Sequence, residues 1–194
     1  MREILLPGDK SISHRVAMLA AVARGVCRIR NYNSGDDCQS TLNCLHALGT
    51  EVDRDGNDVT IDPQPLRAPE DPLDCGNSGS TIRMLTGLLA GQNVPAVLIG
   101  DASLRRRPMH RIAEPLRLMG AVIELLDDEY APIRIVEGVK RAIEYKLPIA
   151  SAQIKTAVLF AGLKHFGTRV FESVPTRDHT ERLLAYLRIG TTPL

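Results

Sequence analysis

LPGDKSISHR, residues 6–15, joins an apolar run to a predicted helix. The run before it, REILL, predicts a short strand that Pro7 and Gly8 end. Asp9 or Ser11 then predicts the cap of a helix through VAMLAAVARG. A first helical turn leaves backbone N–H groups unpaired with the positive end of the helix dipole behind them, which favours a phosphate or carboxylate there. Lys10, Ser11, Ser13 and Arg15 add donors and charge, whereas nothing in the spacing of His14 makes it a catalytic base. A capped surface helix with solvated charges is the plain alternative for this stretch taken alone.

The same grammar occurs three times along the chain. An apolar helix runs to a glycine, and a β-rich run, a polar loop, a second helix and a second glycine follow. The first copy is HRVAMLAAVARG to Gly25, VCRIR, and DDCQSTLNCLHALG to Gly49. The second is GSTIRMLTGLLAG to Gly91, PAVLIG, and RRRPMHRIAEPLRLMG to Gly120. The third is ASAQIKTAVLFAGLKHFG to Gly167, TRVFESV, and DHTERLLAYLRIG to Gly190, a period of about 66 to 76 residues. Each glycine is expected as the left-handed residue closing its helix.

After the second helix, copies one and two add two more β-rich runs, and the DRDGND turn is a hairpin signal. Each unit therefore reads βαβαββ, over about residues 1–66, 67–140 and 141–194 of a single domain. The third unit ends at IGTTPL without its last two strands. First helices that are apolar nearly all round, such as TAVLFAGL, must be buried on most sides, so sheets are expected outside and helices inside. PQPLRAPEDPL, with four prolines in eleven residues, predicts a loop between units one and two.

Composition removes several classes of function. Lys and Arg number 24 against 23 Asp and Glu, a net charge of +1, so bulk attraction to nucleic acid or membrane is not expected. Three Phe, four Tyr and no Trp argue against a base-stacking single-strand binder. Cys27, Cys38, Cys44 and Cys75 show no metal-ligand spacing and fit buried thiols in a reducing compartment. The N-terminus lacks the apolar region of a signal peptide. The longest apolar stretch, LPIASAQIKTAVLFAGL, is broken by Gln153 and Lys155, so a cytoplasmic protein is expected.

If the units are related by pseudo-symmetry, their first helices begin at one end of the bundle. Unit two begins with CGNSGSTIR, where Asn77 or Ser78 caps and Gly76 and Gly79 allow close approach of a ligand. Unit three begins with PIASAQIK, where Ser151 caps and Gln153 offers an amide. Arg105, Arg106 and Arg107 precede Pro108, which suits a helix N1 position. Asp178 and Glu181 read as first-turn helix acids. Each feature alone has a plain structural explanation; together they imply a shared pocket for an anionic small molecule.

These motifs resemble one family, the 5-enolpyruvylshikimate-3-phosphate synthases. PGDKSISHR, GNSGSTIR, GDASLRRRPM, PIASAQIKTAVL and TRDHTERLL stand in that family's order across residues 6–190, in forms more like the bacterial class II branch. The resemblance implies an α/β fold of two inside-out domains built from βαβαββ units, with the site in the cleft between them. It implies shikimate 3-phosphate held by Lys10, Ser11, Arg15, Ser151, Ala152, Gln153 and Arg177. It places phosphoenolpyruvate, or the competing inhibitor glyphosate, on Lys10, the loop from Asn77 through Gly79 to Ser80, Arg107 and Gln153. Gly79 is the small residue usual in glyphosate-sensitive members, and Ser80 keeps the hydroxyl of the commoner threonine.

Two phosphates and two carboxylates on the substrates call for such a cationic site. The implied reaction adds the 5-hydroxyl to C2 of phosphoenolpyruvate while C3 is protonated, then expels phosphate. No metal or redox cofactor is expected, and Lys10 is the candidate general acid. The related transferase acting on UDP-N-acetylglucosamine uses a cysteine in its second unit, and no cysteine lies between Gly76 and the chain end.

Family members are roughly twice this length. The expectation is therefore an N-terminal part that is silent alone and binds shikimate 3-phosphate weakly. The alternatives are a site completed by self-association or by a separate C-terminal half, or a non-catalytic module that binds an anionic metabolite.

Overall fold

The computed structural model describes residues 8–189, so the REILL strand, Gly190 and the TTPL tail lie outside the described residues. The first group of elements is α1 (Lys10–Ala20), β1 (Cys27–Ile29), α2 (Asp36–Ala47), β2 (Glu51–Asp55) and β3 (Asp58–Asp62). The second is β4 (Leu73–Asp74), α3 (Gly79–Gln92), β5 (Ala96–Ile99), α4 (His110–Leu118), β6 (Val122–Leu126) and β7 (Tyr130–Glu137), a full βαβαββ. The third is β8 (Glu144–Lys146), α5 (Ala152–Ala161), β9 (Arg169–Phe171) and α6 (His179–Tyr186).

The strands of each group pair among themselves. β1 and β2 flank β3 antiparallel, and the β2–β3 hairpin turns at Gly56, as the DRDGND signal predicts. β4 lies parallel to β5, and β7 runs antiparallel between β5 and β6. β8 and β9 pair in parallel. Burial alternates along β3 and β7, so each sheet turns one face to the core and the other to water. The helices occupy the interior: α3 buries Ile82, Met84, Leu85, Leu88 and Leu89, each contributing about 2 kcal/mol of hydrophobic stabilisation. The fold is thus an α/β domain with helices inside and sheets outside.

Small residues set how closely the central helices approach. A Cβ on Gly87 would stand 2.2 Å from the carbonyl oxygen of Ala157, and one on Gly91 would stand 2.7 Å from Cα of Ala161. These two glycines, one helical turn apart, bring the backbones of α3 and α5 into contact. Gly91 therefore corrects its expected role as a helix-closing residue. Asn93, at φ +57°, closes α3 instead.

The expectation holds for the second helices of the first two groups; in the third, Arg188 at φ +54° closes α6, with Ile189 N–H on Leu184 O, where the sequence suggests Gly190. Gly49 and Gly120, at φ +94° and +92°, close α2 and α4, with Thr50 N–H on Leu45 O and Ala121 N–H on Leu116 O. Gly25 and Gly167 are left-handed too but lie beyond the ends of α1 and α5. Pro108 precedes the N-cap Met109 of α4 rather than occupying N1.

All four cysteines are free thiols, three of them buried. Among the described residues no helix is long and apolar enough to cross a membrane.

Candidate functional site

The N-termini of α1, α3 and α5 meet at one end of the helical layer, each opened by the kind of cap the sequence suggests. Asp9 Oδ1 accepts from Ile12 N–H at 2.7 Å, Ser78 Oγ from Thr81 N–H at 3.1 Å, and Ser151 Oγ from Ile154 N–H at 3.3 Å. Between them run side-chain links. Gln153 Nε2 on α5 donates to Ser80 Oγ on α3 at 3.0 Å. Arg15 on α1 is 2 % exposed; its Nη2 reaches Thr156 Oγ1 at 3.0 Å and Ala152 O at 3.4 Å on α5, and its Nε reaches Thr180 Oγ1 at 2.8 Å on α6. Arg15 Nη1 also donates to Ser11 Oγ at 2.6 Å.

Lys10 points its ammonium at the carboxylate of Asp37, in the first turn of α2. Thr81 Oγ1 donates to the backbone oxygen of the same Asp37 at 3.2 Å, so α2 bridges the starts of α1 and α3. On the opposite side, Arg107 Nη2 donates to Asn77 Oδ1 at 2.5 Å, and Asn77 Nδ2 donates to Asp101 Oδ2 at 2.7 Å. The Asn77 amide, helped by Leu104 N–H, holds the Asp101 carboxyl below its ordinary range.

Two residues that the sequence reading did not single out belong to this cluster. Arg83 donates through Nη1 to Gln153 Oε1 at 3.1 Å and through Nη2 to Pro108 O at 3.2 Å. Burial, then the charges of Arg107 and Arg111, lower its pKa. Its position four after Gly79 in GNSGSTIR puts both on one helix face, a signal that was available in the sequence. Asp37 carried no such signal, since an acid in a first helical turn is ordinary.

Gly79 lies where Arg83 and Arg107 converge: a Cβ there would stand 2.8 Å from Arg83 Nη1 and 3.2 Å from Arg107 Nη1.

The remaining candidates differ in how their side chains are engaged. The hydroxyl of Ser151 is engaged as a helix cap, and Ala152 turns its carbonyl to Arg15 and Thr156. Ser13 bonds the backbone of Asp9 and Asn33 rather than the cluster. Of the arginine triplet, only Arg107 reaches Asn77, while Arg105 bonds Gly100 O. Arg177 is exposed on the loop before α6; burial lowers the Arg15 pKa, the charge of Glu181 opposes this, and that of Arg177 adds to it less strongly. Glu181 differs from a plain first-turn acid, because its Oε1 pairs with the buried Lys155 at 2.6 Å.

His14 is fully buried, with Nδ1 2.7 Å from Thr41 Oγ1. Burial, reinforced by the charge of Lys10, pushes its imidazole down to about 4, so it is neutral at pH 7.

The cluster is thus a polar, cation-rich end of an otherwise apolar bundle. Arg15, Arg83 and Arg107 bond only to neutral groups, and none of the ion pairs among the described residues includes them. Arg15 is buried and Arg83 and Arg107 are half-buried, and guanidinium groups with no directly bonded carboxylate favour an anionic ligand.

Residues 2–190 match the sequence model of EPSP synthase (3-phosphoshikimate 1-carboxyvinyltransferase). The 3-phosphoshikimate 1-carboxyvinyltransferase of Solibacter usitatus is 53 % identical over 182 residues, which span 92 % of this chain and 43 % of that protein. That of Bacillus cytotoxicus is 47 % identical over 186 residues, covering 93 % of this chain and 44 % of the relative. The solved EPSP synthase of Acinetobacter baumannii superposes with a TM-score of 0.88 at 43 % identity, over 94 % of this chain and 42 % of that one. The chain therefore spans less than half the length of the relatives it matches. With its motifs, its fold and these similarities in agreement, the chain belongs to the EPSP synthase family.

Proposed function

We propose that this chain supplies one wall of the site at which enolpyruvyl passes from phosphoenolpyruvate to the 5-hydroxyl of shikimate 3-phosphate. The observation that supports this most is the set of guanidiniums, Arg15, Arg83 and Arg107, bonded only to neutral groups beside three helix N-termini. Both substrates are anions of the kind such a set attracts.

In this reading, shikimate 3-phosphate lies toward α1, α5 and α6. Ser11, Arg15 and Gln153 face it, the backbone at Ser151 and Ala152 adds the helix start, and Arg177 closes over it. Phosphoenolpyruvate, and glyphosate in competition with it, lies toward α3, against Asn77, Gly79, Ser80, Arg83 and Arg107. Lys10, at the junction of the two, donates to the phosphoenolpyruvate phosphate and carries the proton delivered to C3. Asp37 holds its ammonium in place until then.

The 5-hydroxyl gives up its proton to a general base as its oxygen bonds C2, while C3 gains a proton from Lys10. Loss of phosphate, with return of a proton from the new methyl group, restores the enol ether. Fixing both anions against one another is itself a large part of such catalysis. The free thiols fit a cytoplasmic location, and the three groups of elements read as related units of one domain.

Phosphate release from the two substrates tests the reading, with the chain alone and with the separately expressed remainder of the Solibacter usitatus relative added. Release only in the mixture, together with calorimetric binding of shikimate 3-phosphate by the chain alone, is the expected result. Binding without release in either arrangement would leave a module for an anionic metabolite, and no binding at all would refute the assignment.

A further inference from the structure

The longest apolar stretch of the chain carries a charge that its surroundings do not explain at the level of sequence. Lys155, in α5, is 3 % exposed, yet its ammonium lies 2.8 Å from Glu172 Oε1 and 2.6 Å from Glu181 Oε1. Glu172 follows β9 directly and uses its other oxygen on the loop: Oε2 accepts from Thr176 N–H at 3.1 Å and from Thr176 Oγ1 at 2.7 Å. One buried ammonium therefore ties α5 to both ends of residues 172–181. That segment carries Arg177, His179 and Thr180. Thr180 Oγ1 takes the Arg15 Nε–H, and His179 Nδ1 lies 3.2 Å from Ser11 Oγ.

Stability alone does not account for such a trio, because an apolar side chain of similar volume in place of a buried ion pair is commonly neutral or stabilising. What the trio does provide is a fixed path for a loop with few other anchors. Glu172 and Thr176 are half-buried, and every other residue from 171 to 178 is exposed. The carboxylates at both ends of the segment also sit near an anion site, and the Lys155 charge offsets them.

We propose that Lys155 is a positioning residue for the anion site: it holds residues 172–181 against α5 so that Arg177 stands over the ligand beside Arg15. This rests on the reading of the site as one for shikimate 3-phosphate.

The test compares the wild-type chain with Lys155→Met, Lys155→Arg, Glu172→Gln, Arg177→Ala and the Lys155→Met/Arg177→Ala double variant. Shikimate 3-phosphate is titrated calorimetrically, and amide hydrogen exchange at Thr176 is followed without ligand. Lys155→Met and Glu172→Gln are each expected to weaken binding about tenfold and to speed exchange at Thr176, while Lys155→Arg keeps most of both. In the double variant the losses should not add, since Lys155 acts through Arg177.

Additive losses, or undiminished affinity in Lys155→Met, would overturn the proposal. If the wild-type chain binds no shikimate 3-phosphate, the reading of the site falls. Exchange then decides the clamp separately, and an unchanged rate at Thr176 in Lys155→Met overturns that as well.

Discussion

Gln153 on α5 and Ser80 on α3 are joined by a 3.0 Å hydrogen bond, although 73 residues separate them in the chain. The same amide accepts from Arg83 through its oxygen, so one side chain aligns two helix N-termini and a guanidinium. Gln153→Ala removes both contacts from a half-buried position. We expect affinity for phosphoenolpyruvate in the assembled enzyme to fall at least about tenfold, with little change in thermal stability. Titration alongside a melting curve checks this, and a variant that melts early but binds normally would contradict it.

Arg15 is the side chain that touches most of the site's elements. Arg15→Lys keeps the charge but cannot reproduce donation to Thr180, Thr156 and Ser11 together. Shikimate 3-phosphate binding should weaken by roughly a hundredfold, the loss of two charge-assisted bonds. Arg15→Met should abolish detectable binding in calorimetry while circular dichroism still reports the folded chain.

Two alanine substitutions in the same helix should have opposite consequences. At Gly79 the new methyl group meets the ends of Arg83 and Arg107, flexible groups that can shift. Gly79→Ala should therefore melt normally and lose affinity for phosphoenolpyruvate and glyphosate. At Gly87 the methyl group meets the backbone of Ala157, which cannot move without separating α3 from α5. Gly87→Ala should cost about 2 kcal/mol or more in urea unfolding. Equal stability of the two variants would refute the backbone contact.

The buried imidazole of His14 predicts a pH dependence of stability. Its pKa, about 4 against an ordinary 6.5, is lowered by burial and by Lys10. The unfolded chain therefore takes up the proton first. The stability linked to His14 is complete above pH 6.5 and is lost as pH falls toward 4, a difference of about 3 kcal/mol. Urea midpoints at pH 7 and pH 4.5 should show the loss in the wild-type chain and a smaller one in His14→Asn, which keeps a donor for Thr41.

The acidic limb has a second contributor. Hydrogen bonds from Lys155 and Thr176 hold the Glu172 carboxyl below its ordinary range against the opposing effect of burial. Its contribution is present above pH 4.5 and disappears as pH falls below it, so residues 172–178 should lose amide protection at pH 3.5 before α3 does. Exchange followed by mass spectrometry at the two pH values measures this, and simultaneous loss in both segments would argue against a separate clamp.

Local chemistry was enough to read much of this molecule from its residues. Asp9, Ser78 and Ser151 cap because short oxygen side chains satisfy first-turn N–H groups, and Gly49 and Gly120 close helices because they reach positive φ without strain. The βαβαββ order and the buried first helices followed from periodicity and from the absence of a polar face. None of these depends on what lies across the molecule.

Tertiary structure alone decided the rest. Gly91 serves helix contact rather than a helix end because Ala161 of α5 lies over it, and no local pattern encodes that neighbour. Asp37 and Lys155 are ordinary helix residues until packing places them beside Lys10 and two carboxylates, and the spacing that puts Arg83 on the face of Gly79 does not name Gln153 as its partner. The sequence by itself determined where helices begin and what charges they offer. Which charges are stripped of water and left to seek an anion was determined only by how the helices pack, because desolvation depends on every neighbour at once.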